Sequence, residues 1–104
     1  MDTNILLTGA SRGIGAAIAA RLDVAGVTMA AMSSSDVDLG EEGAAAQLWD
    51  AACERLGGRI DVLINNAGIF EASPLEAADW SNRWARTMQI NLTAAAELCR
   101  LAVL

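Results

Sequence analysis

The sequence contains no histidine, no tyrosine and no lysine, and it has one proline and one phenylalanine among 104 residues. Without histidine, and with Cys53 and Cys99 far apart and outside any CxxC spacing, a zinc or thiol redox centre has no ligand set of the usual form. Both cysteines fall in helical patterns and read as buried thiols. Every basic residue is arginine, and the 7 arginines face 13 acidic residues, for a net charge of -6. That balance excludes the basic patch that nucleic acid or an anionic membrane surface would demand. No apolar run approaches the roughly 20 residues that cross a bilayer. The opening "MDTNILLTG" lacks the basic segment of a secretory leader, so the expected location is the cytoplasm.

What is present is apolar content, 54% of the chain, arranged in two alternating periods. Ile5 to Leu7 is a short run of the kind a buried parallel strand shows. From Gly13 the period changes: Ile14, Ala17, Ile18 and Leu22 fall on one helical face, and Gly26 stands where a C-terminal cap belongs. Val27 to Met32 is a second strand. After "SSS", Asp38 and Glu41 have capping-box spacing ahead of a helix that carries Ala45, Leu48, Trp49, Ala52 and Leu56 on one face and stops at Gly57-Gly58. Ile60 to Ile64 is a third strand. Ser73, Pro74 and Glu76 form another helix-start signal. From about Asp79 one long helix is expected to run to the last residue, with Trp84, Met88, Asn91, Ala95, Leu98 and Ala102 as its apolar stripe. Trp80 and Trp84 read as packing or interface residues. Strands alternating with helices imply an α/β fold with a parallel sheet covered on both faces.

The stretch "TGASRGIG", Thr8 to Gly15, places three glycines where the first strand ends and the first helix begins. A helix N-terminus bares amide N–H groups and the positive end of the macrodipole, so it attracts a phosphate when nothing bulky blocks the approach. Glycine at 9, 13 and 15 removes Cβ atoms from a tight turn, from the face that meets a pyrophosphate and from the helix–strand contact. Thr8 and Ser11 add hydroxyl donors. "NNAG", Asn65 to Gly68, follows the third strand, where small and amide residues again suit a ligand at strand carboxyl ends.

The set "TGASRGIG", "NNAG" and "INL" at Ile90 to Leu92 closely resembles the short-chain dehydrogenase/reductase family, over nearly the whole chain. The resemblance implies a Rossmann-type doubly wound parallel sheet, here truncated to about three strands in one incomplete nucleotide-binding domain. It also implies hydride transfer between a nicotinamide dinucleotide and a carbonyl or alcohol. By the same resemblance, Thr8, Gly9, Ser11, Arg12, Gly13, Ile14 and Gly15 line the cofactor pyrophosphate and ribose. Asn65, Ala67 and Gly68 flank the adenosine side and brace the central strand, and Asp38-Leu39 is similar to the pair beside the adenine ring. Asp38 as a helix cap is the alternative to that role. Asn91 matches the asparagine that holds a water in the family's proton relay, with a locally satisfied core amide as the other reading. Ser33-Ser34 stand where NAD-specific members carry an acidic residue, and Arg12 lies in the glycine turn, so NADP is favoured. NAD stays open if Asp36 folds back to serve as the carboxylate.

The sequence also departs from the family. The family's proton donor is a tyrosine with a lysine four residues later, and this chain contains neither, so carbonyl reduction has no general acid of suitable strength. The interval between the first helix and "NNAG" is short by about one strand and one helix. A sheet ordered second, first, last would leave an open edge, and the terminal helix is apolar on much of its circumference. Self-association into a homo-oligomer would cover it. The leading expectation is the cofactor-binding N-terminal half of an NADP-preferring oxidoreductase. The alternatives are a catalytically silent nucleotide-binding or oligomerisation module that pairs with a full-length relative, and a gene remnant.

Overall fold

A computed structural model describes residues 2–104. Its centre is β1 (Thr3–Leu7), which pairs in parallel with β2 (Val27–Ala31) on one side and with β3 (Val62–Ile64) on the other, giving the order β2-β1-β3. Thr3 is opposite Val27 and Leu7 opposite Ala31, while Ile5 to Leu7 run beside Val62 to Ile64. Because side chains alternate along a strand, Leu6 and Ala30 point to one face of the sheet. There they join Met32, Leu48, Ala52 and Leu98 in the core. The opposite face carries Val27, Met29 and Ala31, which line a shallow groove with Ala19 and Leu22 at the end of α1 (Gly13–Arg21). Helices thus lie on both faces of a three-stranded parallel sheet, a Rossmann-type arrangement reduced to three strands.

The first helix differs from its expected face. Ile14 is 73% exposed and Ala17 is exposed, while Gly15 is the buried residue of α1. The helix also ends at Arg21 with Leu22 as its cap, so Gly26 is not the C-cap. Its positive φ of 84° serves the turn into β2, where its carbonyl accepts from Thr3 N.

β2 leads through turns directly into α2 (Ala44–Arg55), with no further strand between them. The expected capping box is absent. Gly43, at φ 78°, is the N-cap residue, and Asp38 lies well before the first turn with its carboxylate engaged elsewhere. The core face of α2 is as expected, with Ala45, Leu48, Ala52 and Leu56 buried. So is its stop: Gly57 takes φ 71°, Gly58 N donates to Cys53 O at 2.8 Å and Gly57 N to Glu54 O at 3.5 Å, the paired bonds of a Schellman motif.

Ser73, Pro74 and Glu76 start no helix. They form a turn in which Ala77 N bonds to Pro74 O, and α3 (Trp80–Met88) begins later. The long terminal helix is interrupted: a π-helical turn, Gln89–Thr93, separates α3 from α4 (Ala94–Val103). The extra residue in that turn rotates the following side chains. Ile90, Ala94 and Leu98 are therefore the buried positions, and Asn91 and Ala102 of the expected stripe are exposed. Cys99 is exposed as well and Cys53 half-buried, so the thiols are not both core residues. Trp80 and Trp84 stack on each other with ring centroids 5.6 Å apart. No described helix is long and apolar enough to cross a membrane.

Candidate nucleotide-binding cleft

A cleft of about 490 Å³ opens at the carboxyl ends of the strands, where the chain leaves β1 for β2 on one side and β3 lies on the other. In open parallel sheets such a reversal leaves a crevice between diverging loops. One wall is the glycine turn. Gly9 and Gly13 take φ of 65° and 58°, the left-handed region in which a Cβ is strained. A Cβ on Gly9 would stand 2.8 Å from Ala67 Cα, and one on Gly15 would overlap the carbonyl of Gly9. Gly15 is thus needed for the packing of α1 onto the turn itself, rather than onto a strand. A Cβ on Gly13 would meet no atom within 4 Å, so that face is open to the cleft. Arg12, extended at φ -157°, is the N-cap residue of α1, and no side chain caps the helix. The first amides of α1 are left without intrahelical partners at the cleft.

Thr8 corrects an expectation. It is 1% exposed and does not line the cleft. Its Oγ1 accepts from Asn66 N at 3.1 Å and Ala67 N at 2.9 Å, so it ties the end of β1 to the "NNAG" turn instead of offering a donor to a ligand. Asn65 also lies outside the cleft, where Nδ2 donates to Ala95 O at 3.1 Å and to Cys99 Sγ at 3.2 Å, fastening the end of β3 to α4. Its neighbour Asn66, which the sequence did not single out, lines the cleft and donates from Nδ2 to Gly9 O at 3.0 Å. Two amides in one turn carry no periodicity to say which faces the ligand.

Asn91 sits in the π-helical turn and is spent on one residue. Its Oδ1 accepts from Ile69 N at 2.8 Å, and its Nδ2 donates to Ile69 O at 2.8 Å. Both polar groups of the amide are thus satisfied locally, and the residue is exposed rather than part of the core. It fixes the backbone just beyond Gly68, and Gly68 and Ile69 both line the cleft.

The far wall is the segment from Met32 to Leu39. Ser33, Ser34, Asp38 and Leu39 line the cleft. Asp38 Oδ1 accepts from Gly40 N at 2.9 Å, and both carboxylate oxygens take bonds from Arg86, at 3.1 and 3.2 Å. The Arg86 guanidinium and the Gly40 amide hold the Asp38 carboxyl below the usual carboxylate range. Gly40 permits this fork, since a Cβ there would run into the guanidinium. Gln89 Nε2 adds a bond to Leu39 O at 3.3 Å. Arg86 is thus a wall residue that the sequence did not reveal, because its partner lies 48 positions away. Of the residues expected at the site, Gly9, Ser11, Arg12, Gly13, Ile14, Ser33, Asp38, Leu39, Ala67 and Gly68 line one cleft, while Thr8, Gly15, Asn65 and Asn91 stand behind it.

Comparison with known proteins agrees with this architecture. Residues 34–104 match the short chain dehydrogenase family model. The chain is 34% identical to 3beta-hydroxysteroid dehydrogenase 1 of Eggerthella lenta, over 95% of this chain and 46% of that protein. It is 38% identical to acetoacetyl-CoA reductase of Shinella zoogloeoides, over 89% of this chain and 45% of that one. Among solved structures it resembles a blue fluorescent protein from a metagenomic library, in complex with NADPH. The TM-score is 0.76 at 31% identity, covering 94% of this chain and 49% of that one. A Rossmann-type sheet with a glycine turn at its switch point defines the class, a dinucleotide-binding fold, and the chain belongs to the short chain dehydrogenase family. It spans about half the length of the curated relatives it matches. The alignment to the first relative runs over 121 positions, longer than the chain itself, so that relative holds residues with no counterpart here.

Proposed function

We propose that the 104 residues act as one nucleotide-binding domain that takes NADP in this cleft, as part of an oxidoreductase that moves hydride between the nicotinamide and a carbonyl or alcohol carbon. The observation that carries the reading is the open face at Gly13, with uncapped amides of α1 at a strand-reversal crevice. In this reading the first-turn amides and the Ser11 hydroxyl bind the pyrophosphate. Arg12 and the Ser33-Ser34 pair receive the 2′-phosphate. Asp38 and Leu39 flank the adenine, and Ala67 and Gly68 let the ligand approach β3. Asn91 positions the Ile69 backbone. The NADPH complex of the similar solved structure supports the same choice of cofactor. The absence of acidic residues from Ser33-Ser34 supports it too, with NAD as the weaker ligand.

The chain holds neither tyrosine nor lysine, so hydride transfer would lack a proton donor from these residues, and the 104-residue chain is expected to bind without measurable turnover. The test is titration of NADPH and NADH against the purified chain by cofactor fluorescence. Saturation with NADPH at lower concentration than with NADH is expected; no saturable change with either would refute the reading. Steady reduction of a carbonyl panel above background would refute the catalytic silence. A cytoplasmic setting fits the acidic composition.

A second reading, a silent module that associates with a copy of itself or a full-length relative, is favoured by one observation. Phe70 and Leu75, before α3, are 98% and 86% exposed, and Trp84 on α3 is 53% exposed. Light scattering across a concentration series checks it, and a monomer at all concentrations would remove the self-association.

A further inference from the structure

Between Ala31 and Gly40 the chain carries two charges, both negative: Asp38 in the cleft wall, and Asp36 bonded to Ser33, beside which a 2′-phosphate would enter. Left alone, a carboxylate at the end of the second strand accepts from ribose hydroxyls and repels a 2′-phosphate, which selects NAD. The structure answers each with an arginine from a different helix. Asp38 takes the fork of Arg86 on α3, and Asp36 Oδ1 takes Arg55 Nη2 of α2 at 2.7 Å. The other oxygen of Asp36 accepts from Ser33 N at 2.9 Å, and Asp36 N donates back to Ser33 O at 2.9 Å. Asp36 therefore does fold back toward the end of β2, but with both oxygens engaged, and it does not line the cleft.

We propose that Arg55, a positioning residue 19 positions from its partner, sets the preference between NADP and NAD by neutralising Asp36 and holding it against Ser33. This rests on the reading of the cleft given above. Arg55 need not touch the nucleotide. Its contribution is to pair a charge that would otherwise stand free beside Ser33, a cleft residue, since unit charges about 4 Å apart interact by roughly 1 kcal/mol in water and more near a protein wall. The segment from Ser33 to Gly43 enters α2 at Ala44, and Arg55, the last residue of that helix, reaches back to Asp36 through its side chain.

The experiment measures dissociation constants of NADPH and NADH by fluorescence for the parent chain, Arg55→Met, Arg55→Lys, Asp36→Asn and the double variant Arg55→Met/Asp36→Asn, with circular dichroism to check folding. Arg55→Met should weaken NADPH by about five- to tenfold while leaving NADH within about twofold. Arg55→Lys should keep the parent ratio within about threefold. The double variant should restore the NADPH preference, which lost packing alone would not do. Asp36→Asn should bind NADPH as well as the parent or better, and this measurement decides the matter if Arg55→Met does not fold. A ratio unmoved in Arg55→Met, or an Asp36→Asn variant that turns toward NADH, overturns the proposal while leaving NADPH binding by the parent intact. Absence of saturable binding by the parent overturns the underlying reading and this proposal together.

Discussion

Asn91 holds both backbone groups of Ile69: its Oδ1 accepts from the N–H and its Nδ2 donates to the C=O, each at 2.8 Å. A side chain in the π-helical turn thereby pins the segment that follows "NNAG", as another backbone strand would. Replacing it with alanine removes both bonds and should cost about 1–2 kcal/mol. Asn91→Asp keeps the acceptor and puts a second oxygen against the Ile69 carbonyl, so it should not recover the loss. Urea midpoints of the three proteins check this; a midpoint for Asn91→Ala equal to that of the parent would mean that the clasp contributes nothing.

The two glycines that bracket the first turn of α1 should behave differently. Gly15→Ala places a methyl on the Gly9 carbonyl, where backbone rather than a flexible side chain must move. It should cost more than about 3 kcal/mol or prevent folding. Gly13→Ala meets open space and bears only the strain of its positive φ, about 1–2 kcal/mol. Denaturation of the two variants side by side tests the order, and equal losses would contradict it.

Thr8→Val is nearly isosteric but leaves Asn66 N and Ala67 N without their acceptor, with an expected loss of about 2 kcal/mol. Thr8→Ser keeps the oxygen and should lose less than about 1 kcal/mol, the worth of a methyl. Thermal melts of the pair separate the hydrogen bonds from the packing. Should valine be tolerated better than serine, the tie between β1 and the "NNAG" turn is not what makes position 8 matter.

Asp36 and Asp38 are both held below the ordinary carboxylate value of 3.8. For Asp36 the leading cause is the Ser33 amide followed by Arg55, and for Asp38 it is Arg86 followed by the Gly40 amide. A depressed pKa in the folded state means that the stabilisation is fully present above the unfolded value and lost as pH falls through the folded one. Melting temperature should therefore be flat in pH above about 5 with respect to these groups and decline below 3.8. The double variant Asp36→Asn/Asp38→Asn should show a shallower acid decline. An unchanged slope would place the acid sensitivity in other carboxylates.

Strand positions, the glycine turn and the buried face of α2 were legible because each rests on short-range patterning. An apolar run bounded by turn residues, a helical spacing of three and four, and Gly57-Gly58 at a helix end all act within a few residues. The misreadings have the same origin. Asp38 and Glu41 have capping spacing, but Arg86, 48 positions on, takes the Asp38 carboxylate, and α2 starts later, at a glycine. The stripe through Asn91 assumes an unbroken helix, whereas with the π-helical turn Ile90 and Ala94 are buried in place of Asn91 and Ala95, while Leu98 of the expected stripe stays in the core. Ile14 has a core residue's spacing yet faces the cleft, because Gly15 must sit against the Gly9 carbonyl.

The amino-acid sequence by itself determined the parallel α/β class, the place where an anion can meet bared amides, and the lack of a tyrosine–lysine pair, since composition and local backbone preference suffice for these. Only the tertiary structure decided which amide of "NNAG" faces the cleft, that Thr8 and Asn91 brace it from behind, that Arg86 pairs with Asp38 in its wall, and that Arg55 pairs with Asp36 next to Ser33. Those outcomes depend on hydrogen bonds and ion pairs between segments distant in the chain, whose geometry exists only once the sheet and its helices have packed.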